Sequence, residues 1–244
     1  MRTINELNWR EAKEAFANTD LALIPVGAVE VYGPHLPLGS DGLVALEISK
    51  RLAERTGAVV LPLVPVGDSR SLLSFPGTLT VSPAALKAYL KDLCESVRHW
   101  GIRRILFING HAGNVAVIGD IAAEYVGTGV RVAQVNCWQA LEKAAPDVPD
   151  TGALANRHAG EIGTSVLLAV RPDLVQLGLE GKVIPPPSLA TQYPEVNVYD
   201  IPFSSNTQTG QTGDATTANV QKGVKMLDRL LERLLQFVND WKAG

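Results

Sequence analysis

Arg104-Ile-Leu-Phe-Ile108 passes without a break into Asn109-Gly-His111-Ala-Gly-Asn114. The apolar residues of its first half do not alternate with polar ones, so it reads as a strand covered on both faces. Leu21-Ala-Leu-Ile-Pro-Val26, ending in Gly27, and Ala58-Val-Val-Leu-Pro-Leu-Val64 have the same character, and Arg131-Val-Ala-Gln-Val-Asn136 supplies a fourth strand. Helical patterns separate them. Residues 5–18 include Trp9 and Phe16, and 42–56 repeat Leu43, Leu46, Ile48 and Leu52 at near-helical spacing. A third helix is expected from Pro83 to Trp100, with Ser82 as its N-cap and proline at its first position. Residues 114–127, Glu161 to Ala169 and 215–241 follow, the last with Met226, Leu230, Leu231, Leu234, Leu235 and Val238 on one side, which suits a core or an interface. Strands alternating with helices imply an α/β fold with a mostly parallel sheet. Residues 180–214 are rich in Pro, Gly, Ser, Thr and Asn and are expected to be a long irregular segment beside the site. No composition break divides the chain, so residues 1–244 are read as one domain.

The 244 residues carry 46% hydrophobic and 19% charged side chains, the composition of an ordinary globular protein. A net charge of -3 argues against a nucleic-acid partner. No apolar run is long enough for a membrane span. The segment Met1-Arg-Thr-Ile-Asn-Glu has no apolar signal core, and Cys94 and Cys137 fit reduced, buried thiols, so a cytoplasmic location is expected.

Ligands of parallel sheets bind outside the carboxyl ends of the strands. The first strand exits toward Glu30 and the third toward His111, so both fall on one edge of the sheet. Three of the four histidines lie in turn-forming segments beside an acid or amide: Glu30-Val-Tyr-Gly-Pro-His35-Leu-Pro-Leu-Gly-Ser-Asp41, Asn109-Gly-His111-Ala-Gly-Asn114 and Arg157-His158-Ala-Gly-Glu161. Imidazole and carboxylate converging from separate loops is what zinc or manganese requires. Asp41 could equally cap the helix it precedes, and Glu30 a turn. Asn114 suits a helix N-cap. His158 and Glu161, three apart at a helix start, can share one face, one for the metal and the other for proton transfer. Alternatively, Glu161 simply complements the helix dipole. His99, beside Trp100, reads as surface or packing. Thr209-Gly-Gln-Thr-Gly213-Asp214 is either an anion cradle or a turn.

Together these segments resemble the creatininase (creatinine amidohydrolase) family from about Leu23 to Lys222. The resemblance rests on Pro25-Val-Gly-Ala-Val-Glu30 with Gly33-Pro-His-Leu-Pro-Leu38 and Asp41, then Phe75-Pro-Gly-Thr-Leu79, Asn109-Gly-His111-x-Gly-Asn114, His158-Ala-Gly-Glu161, and Gly213-Asp214 with Ala218 and Lys222-Gly223. It implies a three-layer α/β/α fold, a homo-oligomer such as a hexamer, and metal-dependent hydrolysis of a cyclic amide, a formamide or a peptide. It also implies one or two divalent ions (zinc, manganese or iron): Glu30, Asp41 and His111 hold one, and Asp41 bridges to a second. Creatininase has a glutamate two residues after the strand-end histidine; Gly113 stands there in this chain, which makes Glu161 the candidate for the further carboxylate ligand. His158 resembles the family's substrate-contacting or proton-transferring histidine. Tyr32, His35, Asn109 and Asn114 are substrate-side candidates.

Three departures mark this chain. Tyr32 replaces the histidine that ligates the second metal in the family, with His35 as the nearby imidazole that could substitute. Ser71-Leu72 replaces a Glu-His pair, which argues against creatinine itself as the substrate. Gly163 replaces an acid after the His-Ala-Gly-Glu segment. The leading expectation is hydrolysis of a C–N bond in a small amide, lactam or formamide by metal-activated water, with Glu161 or His158 moving the proton. The alternatives are C–C cleavage of a ring ketone or sugar-derived substrate, with Tyr32 as acid or base, and a non-catalytic metal-binding relative.

Overall fold

The computed structural model describes residues 2–184, 189–193, 195–196 and 202–244. Residues 185–188, 194 and 197–201 of the expected irregular segment lie outside the described residues. Four parallel strands, β1 (Leu21–Val26), β2 (Val59–Val60), β3 (Arg104–Asn109) and β4 (Arg131–Asn136), form a sheet in the order β2-β1-β3-β4. The helices are α1 (Trp9–Ala17), α2 (Ser40–Thr56), α3 (Pro83–His99), α4 (Val115–Glu124), α5 (Cys137–Ala144), α6 (Glu161–Val170), the single turn α7 (Leu189–Gln192) and α8 (Val220–Ala243).

Strand residues alternate between two cores. Leu21, Leu23, Leu106 and Ile108 pack with residues of α2, α5, α6 and α8. Ala22, Ile24, Val26, Ile105 and Phe107 pack on the other face with α3 and α4. Both faces of the central strands are therefore dry, which is why β1 and β3 read as continuous apolar runs. The result is the three-layer α/β/α architecture expected. The apolar side of α8 belongs to the first core: Met226, Leu227, Leu230, Leu231, Leu234 and Val238 are buried there.

The boundaries carry several corrections. The second strand is two residues long instead of seven. Only Leu61, bonding Leu23, and Val64, bonding Pro25, continue the pairing beyond it. Ser82 caps α3 through its side chain as expected. Asn114 makes no side-chain cap on α4. Helix α8 starts at Val220, five residues later than expected, with Asn219 accepting from the Lys222 N–H. Helix α5 was not anticipated. Among the described residues no helix is long and apolar enough to cross a membrane.

Candidate metal centre

Strands β1, β3 and β4 all release the chain at the same edge. Glu30 lies four residues beyond β1, His111 two beyond β3, and Trp138 two beyond β4. The first turn of α2 brings Asp41 between them. This approach is possible because two positions lack a side chain. A Cβ on Gly110 would sit 2.3 Å from the Asp41 carbonyl oxygen, and one on Gly27 2.4 Å from the Gly42 Cα. Backbones that close demand glycine.

Glu30, Asp41 and His111 consequently offer ligand atoms that all lie within 4.8 Å of one another, and all three residues are buried. His111 Nδ1 is 3.1 Å from Glu30 Oε2 and 3.3 Å from Asp41 Oδ2. The other ring nitrogen, Nε2, lies 2.9 Å from the Asp68 carbonyl and donates to it. That bond fixes the ring so that Nδ1 faces the carboxylates, the orientation a metal-ligating imidazole requires. Ser69 Oγ donates to Glu30 Oε2 at 2.5 Å, and Trp138 Nε1 donates to Asp41 Oδ1 at 2.9 Å. Two buried carboxylates beside one directed imidazole are costly without a cation and match the donor preferences of zinc or manganese.

The electrostatics agree with that reading. Burial, then the Glu30 charge, raise the Asp41 pKa to about 6. Burial raises that of Glu30, but the His111 hydrogen bond and charge outweigh it, and the net direction is down. Burial opposes protonation of His111, yet the hydrogen bonds that its ring donates to Asp41 and Glu30 lift its pKa to about 11. Burial, with Asp41 and Glu30 nearby, holds the Tyr32 phenol well above its ordinary value, so it is a neutral O–H.

A cavity of about 360 Å³ opens on the cluster, lined by Glu30, Asp41 and His111 together with Tyr32, Trp138, His158, Gly163, Leu72 and Phe203. His158 thus stands at the site. Its Nε2 is 2.6 Å from the Val31 carbonyl, and its ring lies 4.3 Å from that of Tyr32. Burial lowers its pKa, only partly countered by Glu30, so it is a neutral imidazole.

Glu161 is not at the site. Ala159, with φ of 55°, turns the chain in the left-handed region between His158 and α6. The two side chains therefore do not share a helical face, and His158 points to the cavity while Glu161 points away. The Glu161 carboxylate accepts from the Asp150 N–H (2.9 Å) and from the Thr151 N–H (2.9 Å) and hydroxyl (2.8 Å), and it pairs with Lys222 Nζ. With both oxygens engaged, it serves neither as a ligand to this cluster nor as its acid.

His35 does not replace the missing histidine either. It is buried, bonds Thr164 Oγ1 through Nε2 at 2.8 Å, and does not line the cavity. Asn109 and Asn114 hold the backbone instead of facing a substrate. Asn109 Nδ2 donates to the His111 carbonyl at 2.8 Å. Asn114 accepts from the Asp68 N–H at 3.0 Å and donates to the Gly27 carbonyl at 3.0 Å. Asn114 therefore ties the exits of β1 and β3 to the loop carrying Asp68 and Ser69. The Gly213-Asp214 stretch is a turn that braces His158: the Thr212 N–H bonds the His158 carbonyl at 3.0 Å, and Asp214 Oδ1 accepts from Thr216.

Sequence reasoning missed Asp68, Ser69 and Trp138. Trp138 carried a usable signal, since the strand-exit rule that finds Glu30 and His111 points to β4 as well. Asp68 acts through its backbone carbonyl, which leaves no trace in residue type.

The sequence model of the Creatininase family, described as creatinine amidohydrolase, matches residues 5–238. The mycofactocin precursor peptide peptidase of Mycolicibacterium smegmatis is 31% identical over 97% of this chain and 91% of its own length. The creatinine amidohydrolase of Pseudomonas putida is 29% identical over 97% of this chain and 96% of its own. A solved structure described as "Creatininase Mn" superposes with a TM-score of 0.84 at 27% identity, covering 98% of this chain and 97% of that one. With its strand-exit cluster of Glu30, Asp41 and His111, the chain belongs to the creatininase family of metal-dependent hydrolases.

Proposed function

We propose that this protein hydrolyses a C–N bond in a small amide, lactam or formamide, using the buried Glu30–Asp41–His111 cluster as its metal centre. The carrying observation is that cluster itself, with its three donor atoms mutually within 4.8 Å at the mouth of a cavity. The relatives support the bond type: one is a peptide peptidase and one a creatinine amidohydrolase, and both names describe cleavage at an amide nitrogen. Glu30, Asp41 and His111 would hold a zinc, manganese or iron ion, which would lower the pKa of a water from about 15.7 toward 7 and would polarise the substrate carbonyl.

The chain's own groups do the rest. His158 donates through Nε2 to the Val31 carbonyl, which leaves the Nδ1 lone pair to take the proton from the attacking water and return it to the leaving nitrogen. Glu161, occupied by Lys222 and the 150–151 backbone, takes no part. The short 3-10 turn Ala112–Asn114 begins beside the cavity, and its first N–H groups have no intrahelical partner, so they serve the developing oxyanion. Leu72, Phe203, Tyr32 and Trp138 give one side of the cavity an apolar and aromatic wall. The setting we propose is the cytoplasm and a homo-oligomer, acting on a small molecule, with neither a nucleic-acid nor a membrane partner.

The test is a panel of small amides, lactams, formamides and short peptides, offered to the metal-loaded protein and to Glu30→Gln and His111→Ala. Turnover of one class with a new amino group freed, on a separate product or on the opened ring, and its loss by at least a hundredfold in both variants, is the expected result. Full turnover in either variant removes the metal-water scheme, and cleavage that frees no amino group removes the C–N assignment.

A further inference from the structure

We infer that the centre takes a single divalent ion per chain, because Trp138, Tyr32 and Gly163 close the ground beside Asp41 that a second ion would occupy. The inference rests on the metal-hydrolase reading above and concerns how that site is filled.

Among the described residues, Glu30, Asp41 and His111 are the one group of three or more acids, histidines or cysteines that could hold an ion. Two carboxylates and a neutral imidazole balance one dication. A second ion would need further anionic or imidazole donors; the cavity also holds Asp68 and His158, but the Asp68 carboxylate is paired with Arg70, and the remaining wall at the cluster offers an indole, a phenol ring and a glycine.

Asp41 is the residue a second ion would share, and its two oxygens are already divided. Oδ2 faces His111 Nδ1 at 3.3 Å. Oδ1 accepts the Trp138 indole N–H at 2.9 Å. An indole nitrogen donates only, so it cannot become a ligand, and its hydrogen presents positive charge to anything approaching that oxygen. The two sides of the carboxylate thus point at one metal position and one hydrogen-bond donor.

Tyr32 and Gly163 complete the closure as a fitted pair. The Tyr32 ring is 5% exposed and lies 5.7 Å from the Trp138 ring and 4.3 Å from the His158 ring. A Cβ placed on Gly163 would sit 3.2 Å from Tyr32 Cε1 and 3.6 Å from its hydroxyl oxygen. The first of these contacts is tight, so any side chain at 163 would have to displace the Tyr32 ring by a few tenths of an ångström. His158 has Nε2 committed to the Val31 carbonyl, so Nδ1 is the one further imidazole nitrogen it brings to the cavity, and a single neutral nitrogen does not by itself make a second site.

The experiment counts ions without using turnover. The untagged full chain is stripped with chelator, dialysed against manganese(II) chloride, and measured for metal per chain by mass spectrometry and for spin state by electron paramagnetic resonance. One manganese per chain with the spectrum of an isolated ion is expected. Two per chain with an exchange-coupled spectrum overturns the inference and leaves the metal-hydrolase reading standing. No binding at millimolar manganese overturns both. A Tyr32→His, Gly163→Glu, Trp138→Phe triple variant, shown by circular dichroism to be folded, is expected to take two ions. A folded triple variant that still takes one overturns the assignment of the closure to these residues, and the count on the unaltered chain stands as a test even where that variant does not fold.

Discussion

At the scale of single residues, the decisive geometry is the direction of one imidazole. The Asp68 carbonyl holds His111 Nε2 at 2.9 Å, so Nδ1 faces Glu30 and Asp41. Without a metal, the hydrogen bonds that Nδ1 donates to those carboxylates outweigh burial and raise the ring's pKa to about 11, so Nδ1 carries a proton at neutral pH. A metal must expel that proton to bind. Its affinity therefore strengthens as pH rises toward about 11 and weakens by about tenfold for each unit of acidification. Below about pH 6, Asp41 also takes up a proton and the dependence steepens. Calorimetric titration of chelator-stripped protein with manganese(II), in two buffers of different ionisation heat, should show about one proton released per ion at pH 7. A release of zero contradicts the protonated Nδ1. Glu30, Asp41 and His111 were legible because residue type and strand-exit position point the same way. Tyr32 was legible as an oddity, but its partner Gly163 became meaningful only when the ring was seen to occupy the space beside it.

At the scale of elements, the misassignment of Glu161 is instructive. A spacing of three implies one face only where the intervening backbone is helical. Here Ala159 takes a left-handed turn and α6 begins at Glu161 itself, so the histidine and the acid diverge. Glu161 instead fastens the start of α6 to the 150–151 turn and to Lys222 on α8. Glu161→Gln should accordingly lower stability by about 1–3 kcal/mol through poorly satisfied buried partners, while the protein retains its full complement of metal. Loss of metal in that variant, measured by mass spectrometry beside Glu30→Gln, would return Glu161 to the site. Helix α8 also presses on α6 at one glycine: a Cβ on Gly223 would lie 1.9 Å from the Ser165 carbonyl oxygen. Gly223→Ala must push the helices apart, at a cost of about 1–3 kcal/mol, and a thermal midpoint within a degree of the unaltered protein's would argue against so close a contact. Most elements were readable from periodicity. The second strand is shorter than its apolar run, because after Leu61 the pairing with β1 resumes only at Val64. Helix α5 escaped notice because β4 ends at Asn136 and α5 begins at Cys137, with no glycine or proline to mark the change.

At the scale of the whole molecule, the metal centre is where separate parts of the fold are joined. Glu30 belongs to the exit of β1, His111 to the exit of β3 and Asp41 to the first turn of α2, while Trp138 at the start of α5 and Ser69 in the loop after β2 brace the carboxylates. Strand direction places these exits on one edge, so the architecture and the broad location of the centre can be read from alternating apolar runs. Its fine geometry cannot, because it depends on backbone approaches at Gly27 and Gly110 that no periodicity encodes. The same convergence concentrates charge: two buried carboxylates flank one imidazole, which carries a proton until a metal ion displaces it. An ion bound there stabilises the native chain alone, since the unfolded chain scatters the three ligands. At a free metal concentration a thousandfold above the dissociation constant, linkage supplies about 4 kcal/mol. A chain of this size shifts by roughly 2–4 °C for each kcal/mol, so stripping the metal should lower the thermal midpoint by about 10 °C. His111→Ala should abolish the difference between stripped and loaded protein, whereas Glu161→Gln should preserve it. An equal midpoint with and without metal in the unaltered chain would mean that the cluster does not bind the ion in the folded state, and the functional reading would fall with it.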